Sequence, residues 1–208
     1  DFLPGQFVTL DLPIHEKPNK RVRSYSIASW PNHSNVFELC IETNFAGAGS
    51  GYMFEQVHEG AELTFRGPAG VFTLPASLDK NTFFITEKSG IVPFRSMFHG
   101  MVEKHIHHEQ IHLFYAGKNQ SDLLYHDELR EFEALISEFT YHPVLYTSDI
   151  SQIIAVYAAE IQSLQTSTDQ LPELHFYLCG WKEFTDVIKA DLLARGFQKN
   201  NITQELYG

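Results

Sequence analysis

Residues 23–26 read Arg23-Ser24-Tyr25-Ser26, at the start of a stretch, Ser24–Ser29, that reads as a short strand between turn residues. Along a strand, side chains alternate, so Arg23 and Tyr25 share one face and Ser24 and Ser26 the other. A guanidinium can clamp a pyrophosphate through two parallel hydrogen bonds, and a tyrosine ring can stack on a flat heterocycle. A hydroxyl beside them can hydrogen-bond the edge of that heterocycle. Taken alone, the quartet suits a polar barrel strand as well as a cofactor site.

Its surroundings sharpen the reading. Pro4-Gly5-Gln6-Phe7 stands upstream, and Gly47-Ala48-Gly49-Ser50 stands downstream, ahead of a short helix expected over residues 51–57. Such a helix start offers free N–H groups and a positive dipole end to a phosphate. With strands expected at Phe7–Leu12, Ser24–Ser29, Val36–Thr43 and Glu62–Arg66, the spacing is that of a barrel or sandwich, closed by Gly67-Pro68-Ala69-Gly70-Val71-Phe72.

The pattern changes near Leu78–Asn81, beyond which apolar strands alternate with helical stretches. Strands are expected at Phe83–Thr86, His112–Ala116, Tyr141–Tyr146, His175–Cys179 and Ile202–Tyr207. Helices fall between them, near Val92–Lys104, Asp122–Glu133, Ser151–Leu164 and Lys182–Arg195. Alternation of this kind implies a parallel, doubly wound sheet, with ligands outside the carboxyl ends of its strands. Two domains follow: an antiparallel β-barrel over residues 1–78 and a Rossmann-like α/β domain over residues 79–208.

In order, these segments resemble the ferredoxin–NADP reductase family, whose flavin domain carries R-x-Y-S and G-x-x-S motifs. The resemblance implies an FAD-binding barrel followed by an NAD(P)-binding domain, acting as a flavoprotein oxidoreductase. Arg23 and Ser50, with Ala48 and Gly49 beside it, would hold the FAD pyrophosphate. Tyr25 would stack on the isoalloxazine and Ser26 would face its N5. Ser89 and Gly90 lie in the family's nicotinamide loop, and Gly117 and Lys118 in the second βα unit. Cys179 and Gly180 form the family's cysteine turn, with the thiol near the nicotinamide. Glu205 is the terminal acid, and Tyr207 the aromatic over the flavin. Ser26, Cys179 and Glu205 would shape hydride transfer from NAD(P)H to FAD. Electrons would then pass to a redox protein or a small acceptor.

Three departures stand out. Only three residues precede Pro4, so the barrel's first strand is expected to be missing. The family loop reads roughly G-x-G-T-G-I-x-P, whereas this chain has Thr86-Glu87-Lys88-Ser89-Gly90-Ile91-Val92-Pro93. Side chains thus stand where backbone approaches a pyrophosphate, which favours an alternative: a flavin- or nucleotide-binding module, or an electron relay, without nicotinamide chemistry of its own. Lastly, Ser148 is followed by Asp149, which would repel a 2′-phosphate and leans towards NADH.

Composition narrows the partners. A net charge of −11 argues against nucleic acid and anionic membranes. It also suits an acidic redox partner poorly, except at the local basic patch of Lys17, Lys20, Arg21 and Arg23. Cys40 and Cys179 form no motif pair, which fits a reducing, cytoplasmic compartment. No apolar run is long enough to span a membrane. His108-Glu109-Gln110-Ile111-His112 matches the zinc-peptidase pattern H-E-x-x-H, but that chemistry needs both histidines on one helical face. Residues 111–115 read as a strand instead, so no metal is expected there.

Overall fold

The structure, a computed structural model, describes residues 1–43, 47–147, 149–165 and 170–207. Strands β1 (Phe7–Asp11), β2 (Val22–Ser26) and β3 (Thr64–Ala69) form an antiparallel sheet in the order β2-β1-β3. Its inner face is set by alternation. Val8, Leu10 and Leu12 are buried together with Ile27, and Tyr25 and Tyr52 pack on them. Helix α1 (Ala48–Glu55) lies between β2 and β3 in sequence, three residues earlier than expected, so Ala48, Gly49 and Ser50 form its first turn.

Two strand expectations for this half change. Val36–Thr43 is not a strand: it makes a single bridge, Leu39 to Ile27. Its later residues turn to the other half of the molecule, where Glu42 engages Lys88 and Ser89. The strand expected at Ser24–Ser29 instead ends at Ser26, because the next carbonyls serve the α/β half. Ala28 O accepts from Arg95 Nη1 (2.7 Å) and Ser29 O from Ser96 Oγ (2.6 Å).

The α/β half is built on five parallel strands in the order β10-β9-β5-β7-β8. These are β5 (Asn81–Glu87), β7 (Ile111–Gly117), β8 (Phe139–Leu145), β9 (Leu174–Trp181) and β10 (Ile202–Tyr207). Two-residue strands β4 (Ser77–Leu78) and β6 (His107–His108) pair at one side. Strand β5 is central and apolar on both faces, as a covered parallel strand must be. Phe83 and Ile85 point into one core and Phe84 into the other.

Helices α2 (Ile91–Lys104) and α3 (His126–Leu135) cover the Phe84 face. Helices α4 (Ser151–Ser163) and α5 (Lys182–Ala194) cover the Phe83 face through Ile153, Tyr157, Phe184 and Ile188. Each large side chain buried this way contributes about 1.5–3 kcal/mol. Helix α3 starts later than expected because Asp122 caps a tight turn instead, accepting from the backbone N–H groups of Lys118 and Asn119. The chain winds outwards from β5 in both directions. A crevice therefore opens at the carboxyl end of β5, the switch point where such sheets take ligands.

The halves are riveted through Arg95 of α2. Its Nε bonds both carboxylate oxygens of Glu128 (3.0 and 2.8 Å), and its guanidinium lies over the Tyr125 ring at 4.5 Å. Trp30, from the first half, stacks on His99 and donates to Glu103.

Candidate functional site

A cleft of about 1260 Å³ runs between the antiparallel sheet and the carboxyl ends of β5, β7, β9 and β10. Arg23, Tyr25, Ser26, Gly49 and Ser50 line one wall. Glu87, Lys88, Ser89, Lys118, Trp181, Glu205 and Tyr207 line the other.

The first wall takes its geometry from strand register. Tyr25 pairs with Val8 and Arg23 with Leu10, while Ser24 pairs with Thr9 and bonds its hydroxyl at 2.9 Å. The stem of Arg23 lies across Gly49, where an added Cβ would come within 2.8 Å of Arg23 Cγ. Glycine is thus needed there for helix and arginine to meet. Arg23 Nη1 donates to the carbonyls of Lys20 and Val22, and among the described residues it has no carboxylate partner. Among those residues no side chain caps α1 at Gly47; Ser50 Oγ donates to Gly47 O. Arg23, with no ion pair among the described residues, and the first turn of α1 meet at one corner of the cleft. This corner fits a pyrophosphate.

Where the walls meet, Ser26 Oγ donates to Glu205 Oε1 (3.1 Å), and the Tyr207 hydroxyl lies 2.8 Å from Ser26 Oγ, positioned to donate to it. Burial pushes the Glu205 carboxyl up to about 7, against the lowering effect of the Ser26 bond. Its proton is therefore shared near neutrality. Cys179 is fully buried beneath the cleft, hydrogen-bonded to Tyr207, and burial holds its thiol well above the usual range.

The second wall is crowded at the turn from β5 to α2. Lys88 has a left-handed backbone, φ 46°, a conformation that favours glycine. Its ammonium lies 3.6 Å from Glu42, which also accepts from Ser89 Oγ at 2.9 Å. The Glu87 carboxylate accepts from Tyr146 OH (3.0 Å), and burial raises its pKa. Thr86 Oγ1 donates to Cys179 O at 2.8 Å. Gly90 packs on that same carbonyl, which a Cβ would approach to 2.5 Å.

The structure thus brings Arg23, Tyr25, Ser26, Gly49, Ser50, Ser89, Lys118, Glu205 and Tyr207 to one cleft. Ala48 is exposed outside it; Cys179 and Gly90 lie beneath it; Gly117 ends β7 and Gly180 is next to last in β9, and neither lines it. Asp149 is exposed, and hydrogen bonds from the Ser151 hydroxyl and backbone N–H lower its pKa, whereas Ser148 lies outside the described residues. His108, in β6, and His112, in β7, sit on different strands, so the H-E-x-x-H pattern is not helical. Sequence reading missed Glu42 and Tyr146. Both reach the β5–α2 turn from distant segments, and neither sits in a local motif.

Fold and cleft together have the architecture of a flavin-binding barrel joined to a nucleotide-binding α/β domain. Residues 1–74 match the oxidoreductase FAD-binding domain and residues 85–190 the oxidoreductase NAD-binding domain. The chain belongs to the ferredoxin–NADP reductase family. It is 26% identical to the glycine betaine monooxygenase reductase subunit of Pseudomonas aeruginosa, covering 100% of this chain and 56% of that protein. It is 30% identical to the anthranilate 1,2-dioxygenase electron transfer component of Acinetobacter baylyi, covering 91% and 53% respectively. The chain therefore spans about half the length of these curated relatives. Ferredoxin–NADP reductase B of Sorangium cellulosum is 27% identical, with 94% of this chain and 80% of that protein aligned. Among solved structures, the ferredoxin–NADP+ reductase of Plasmodium falciparum superposes with a TM-score of 0.78 at 21% identity, covering 100% of this chain and 84% of that one. Among the described residues no helix is long and apolar enough to cross a membrane.

Proposed function

We propose that this chain is the flavin- and nicotinamide-binding part of an electron-transfer reductase, taking hydride from NAD(P)H and delivering electrons to a redox protein or small acceptor. The observation that carries this reading is the hydrogen-bond chain Tyr207–Ser26–Glu205, which spans both halves at the base of the cleft. Bound FAD would supply the conversion of two-electron hydride chemistry into single-electron steps. Arg23, with Gly49 and Ser50, would hold its pyrophosphate, and Tyr25 would support its ring. Ser26 and Glu205 would hold a proton beside the reacting edge, in a group half-protonated near neutral pH. Tyr207 would shield that edge and give way to the nicotinamide. The neutral Cys179 thiol supports Tyr207 from below. The ionised Asp149 disfavours a 2′-phosphate and so favours NADH. The oxygenase reductases among its relatives make an iron–sulfur or oxygenase protein the partner class to test first.

A second reading, a flavin- or nucleotide-binding relay without nicotinamide chemistry, is favoured by one observation. Glu42 ties down Lys88 and Ser89 at the turn where a nicotinamide dinucleotide would have to lie.

The flavin assignment is tested by substitution. The purified protein should carry FAD, and Arg23→Ala should lose it during gel filtration. A charge-assisted contact of about 1.5–3 kcal/mol disappears in that variant, weakening affinity about 10- to 100-fold. Full flavin occupancy in Arg23→Ala, measured by absorbance per chain, would refute the assignment.

A further inference from the structure

At the far end of the sheet from the cleft, three donor side chains converge from three elements: His112 on β7, His142 on β8 and Glu160 on α4. One ligand atom from each lies within 4.8 Å of the others. His112 Nδ1 and His142 Nε2 are 3.3 Å apart. For an N–H···N bond between neutral imidazoles this is long. Two nitrogens bound tetrahedrally at about 2.0–2.1 Å from one ion would lie about 3.3–3.4 Å apart, so the spacing matches a shared ion.

His112 is 6% exposed, and its Nε2 has no hydrogen-bond partner among the described residues. Apart from the His142 contact, no hydrogen bond among the described residues competes for the ring. Phe83 and Phe114 pack against the His112 ring, and Phe114 also stacks on His142, so both imidazoles are held in place. Burial lowers the pKa of both, His112 to about 4, which leaves their lone pairs available at neutral pH. His142 and Glu160 are half-buried, giving access to solvent.

We propose that His112, His142 and Glu160 form a binding site for a divalent transition-metal ion, best matched by Zn²⁺. Two imidazoles and a carboxylate, with water in the fourth position, suit its borderline character and tetrahedral preference. Glu160 lies on the last turns of α4, where its Oε1 accepts from Ser163 Oγ at 2.9 Å, so binding the ion would exchange that surface hydrogen bond for a metal–oxygen bond. The bound ion would tie the edge strand β8 and helix α4 to β7. The amino end of the sheet lies opposite the cofactor cleft, so this role is stabilising rather than catalytic. The H-E-x-x-H sequence pattern pairs His112 with His108; the fold pairs it with His142 instead.

The test uses the full protein, stripped with a chelator and titrated with Zn²⁺, and with Co²⁺ as a spectroscopic probe. Wild type should take up one ion per chain, show the intense visible bands of tetrahedral Co²⁺, and unfold at a higher temperature when loaded. Removing even an outer-shell partner commonly costs 10- to 100-fold in metal affinity. His142→Ala and Glu160→Gln, which each remove a direct ligand, should therefore weaken binding by at least about 100-fold. His108→Ala should bind as wild type does. Glu160→Gln changes one half-buried helix position, and its circular dichroism shows whether the fold is retained. Unchanged affinity in His142→Ala and Glu160→Gln, or only weak, multiple-ion binding across the eleven histidines of the chain, would overturn the proposal.

Discussion

The two walls of the cleft solve opposite problems. On the β2–α1 wall, the cation Arg23 has no ion pair among the described residues, and Gly49 brings backbone close to it. On the β5–α2 wall, the charges are already matched within the protein: Lys88 with Glu42, Ser89 with Glu42, and Glu87 with Tyr146. An open cation invites an anionic ligand, whereas an internally satisfied cluster must be broken before a ligand can enter. The difference predicts tight flavin binding and weak nicotinamide binding in one cleft.

The largest expected effect lies in the joint between the walls. Arg95→Ala removes the cation that ties Ala28 to Glu128, leaving that carboxylate with His99 as its remaining partner. With hydrogen bonds to charged groups worth about 1.5–3 kcal/mol each, losing the contacts to Glu128 and to the Ala28 carbonyl costs about 3–6 kcal/mol. Chemical denaturation should show this loss as a lowered midpoint. A change within about 0.5 kcal/mol would mean that the halves do not depend on this contact.

The next effect concerns pH. The folded-state pKa of Glu205, about 7, lies above its ordinary value of 4.5. Between those values the folded protein holds a proton that the unfolded chain has released. Stability therefore falls as pH rises through this window, by a few kcal/mol in all. Glu205→Gln should abolish that part of the fall, seen by comparing unfolding free energies at pH 5 and pH 7.5. An undiminished slope in the variant would place the titrating group elsewhere.

The smallest effect sharpens the contrast directly. Lys88→Gly relieves a left-handed backbone, which costs about 1 kcal/mol for residues with a Cβ, and it frees Glu42. The variant should be more stable by about that amount, raising its thermal midpoint by a few degrees. It should also be reduced at a lower nicotinamide concentration than wild type. Stabilisation without better reduction would show that Lys88 strains the turn but does not guard it.

What the sequence made legible follows the same divide. In the α/β half, the strands expected at Phe83–Thr86 and His112–Ala116 lie within β5 and β7, because burial on both faces of a parallel sheet leaves a local apolar signature. In the first half, the strand expected at Val36–Thr43 does not form. Glu42 and its neighbours answer to Lys88 and Ser89, residues far along the chain that no local pattern reveals. The cleft corner of Arg23, Gly49 and Ser50 was readable because each residue sits in a short motif. The crowding of the opposite wall was only half readable: Thr86–Ser89 departs visibly from a glycine-rich loop, but its partners Glu42 and Tyr146 do not announce themselves. The cluster of His112, His142 and Glu160 was hidden for the same reason, being assembled from two strands and a helix.

The central contrast, an open Arg23 corner proposed for the flavin beside a guarded Lys88 turn proposed for the nicotinamide, is tested most directly by anaerobic titration of the purified protein with NADH and with NADPH, followed in the visible spectrum. A flavin-loaded protein that bleaches only at high nicotinamide concentration, and at less NADH than NADPH, is the expected result. A flavin that stays oxidised with both nucleotides, in wild type and in folded, flavin-loaded Lys88→Gly, would contradict hydride transfer and leave the relay reading in its place.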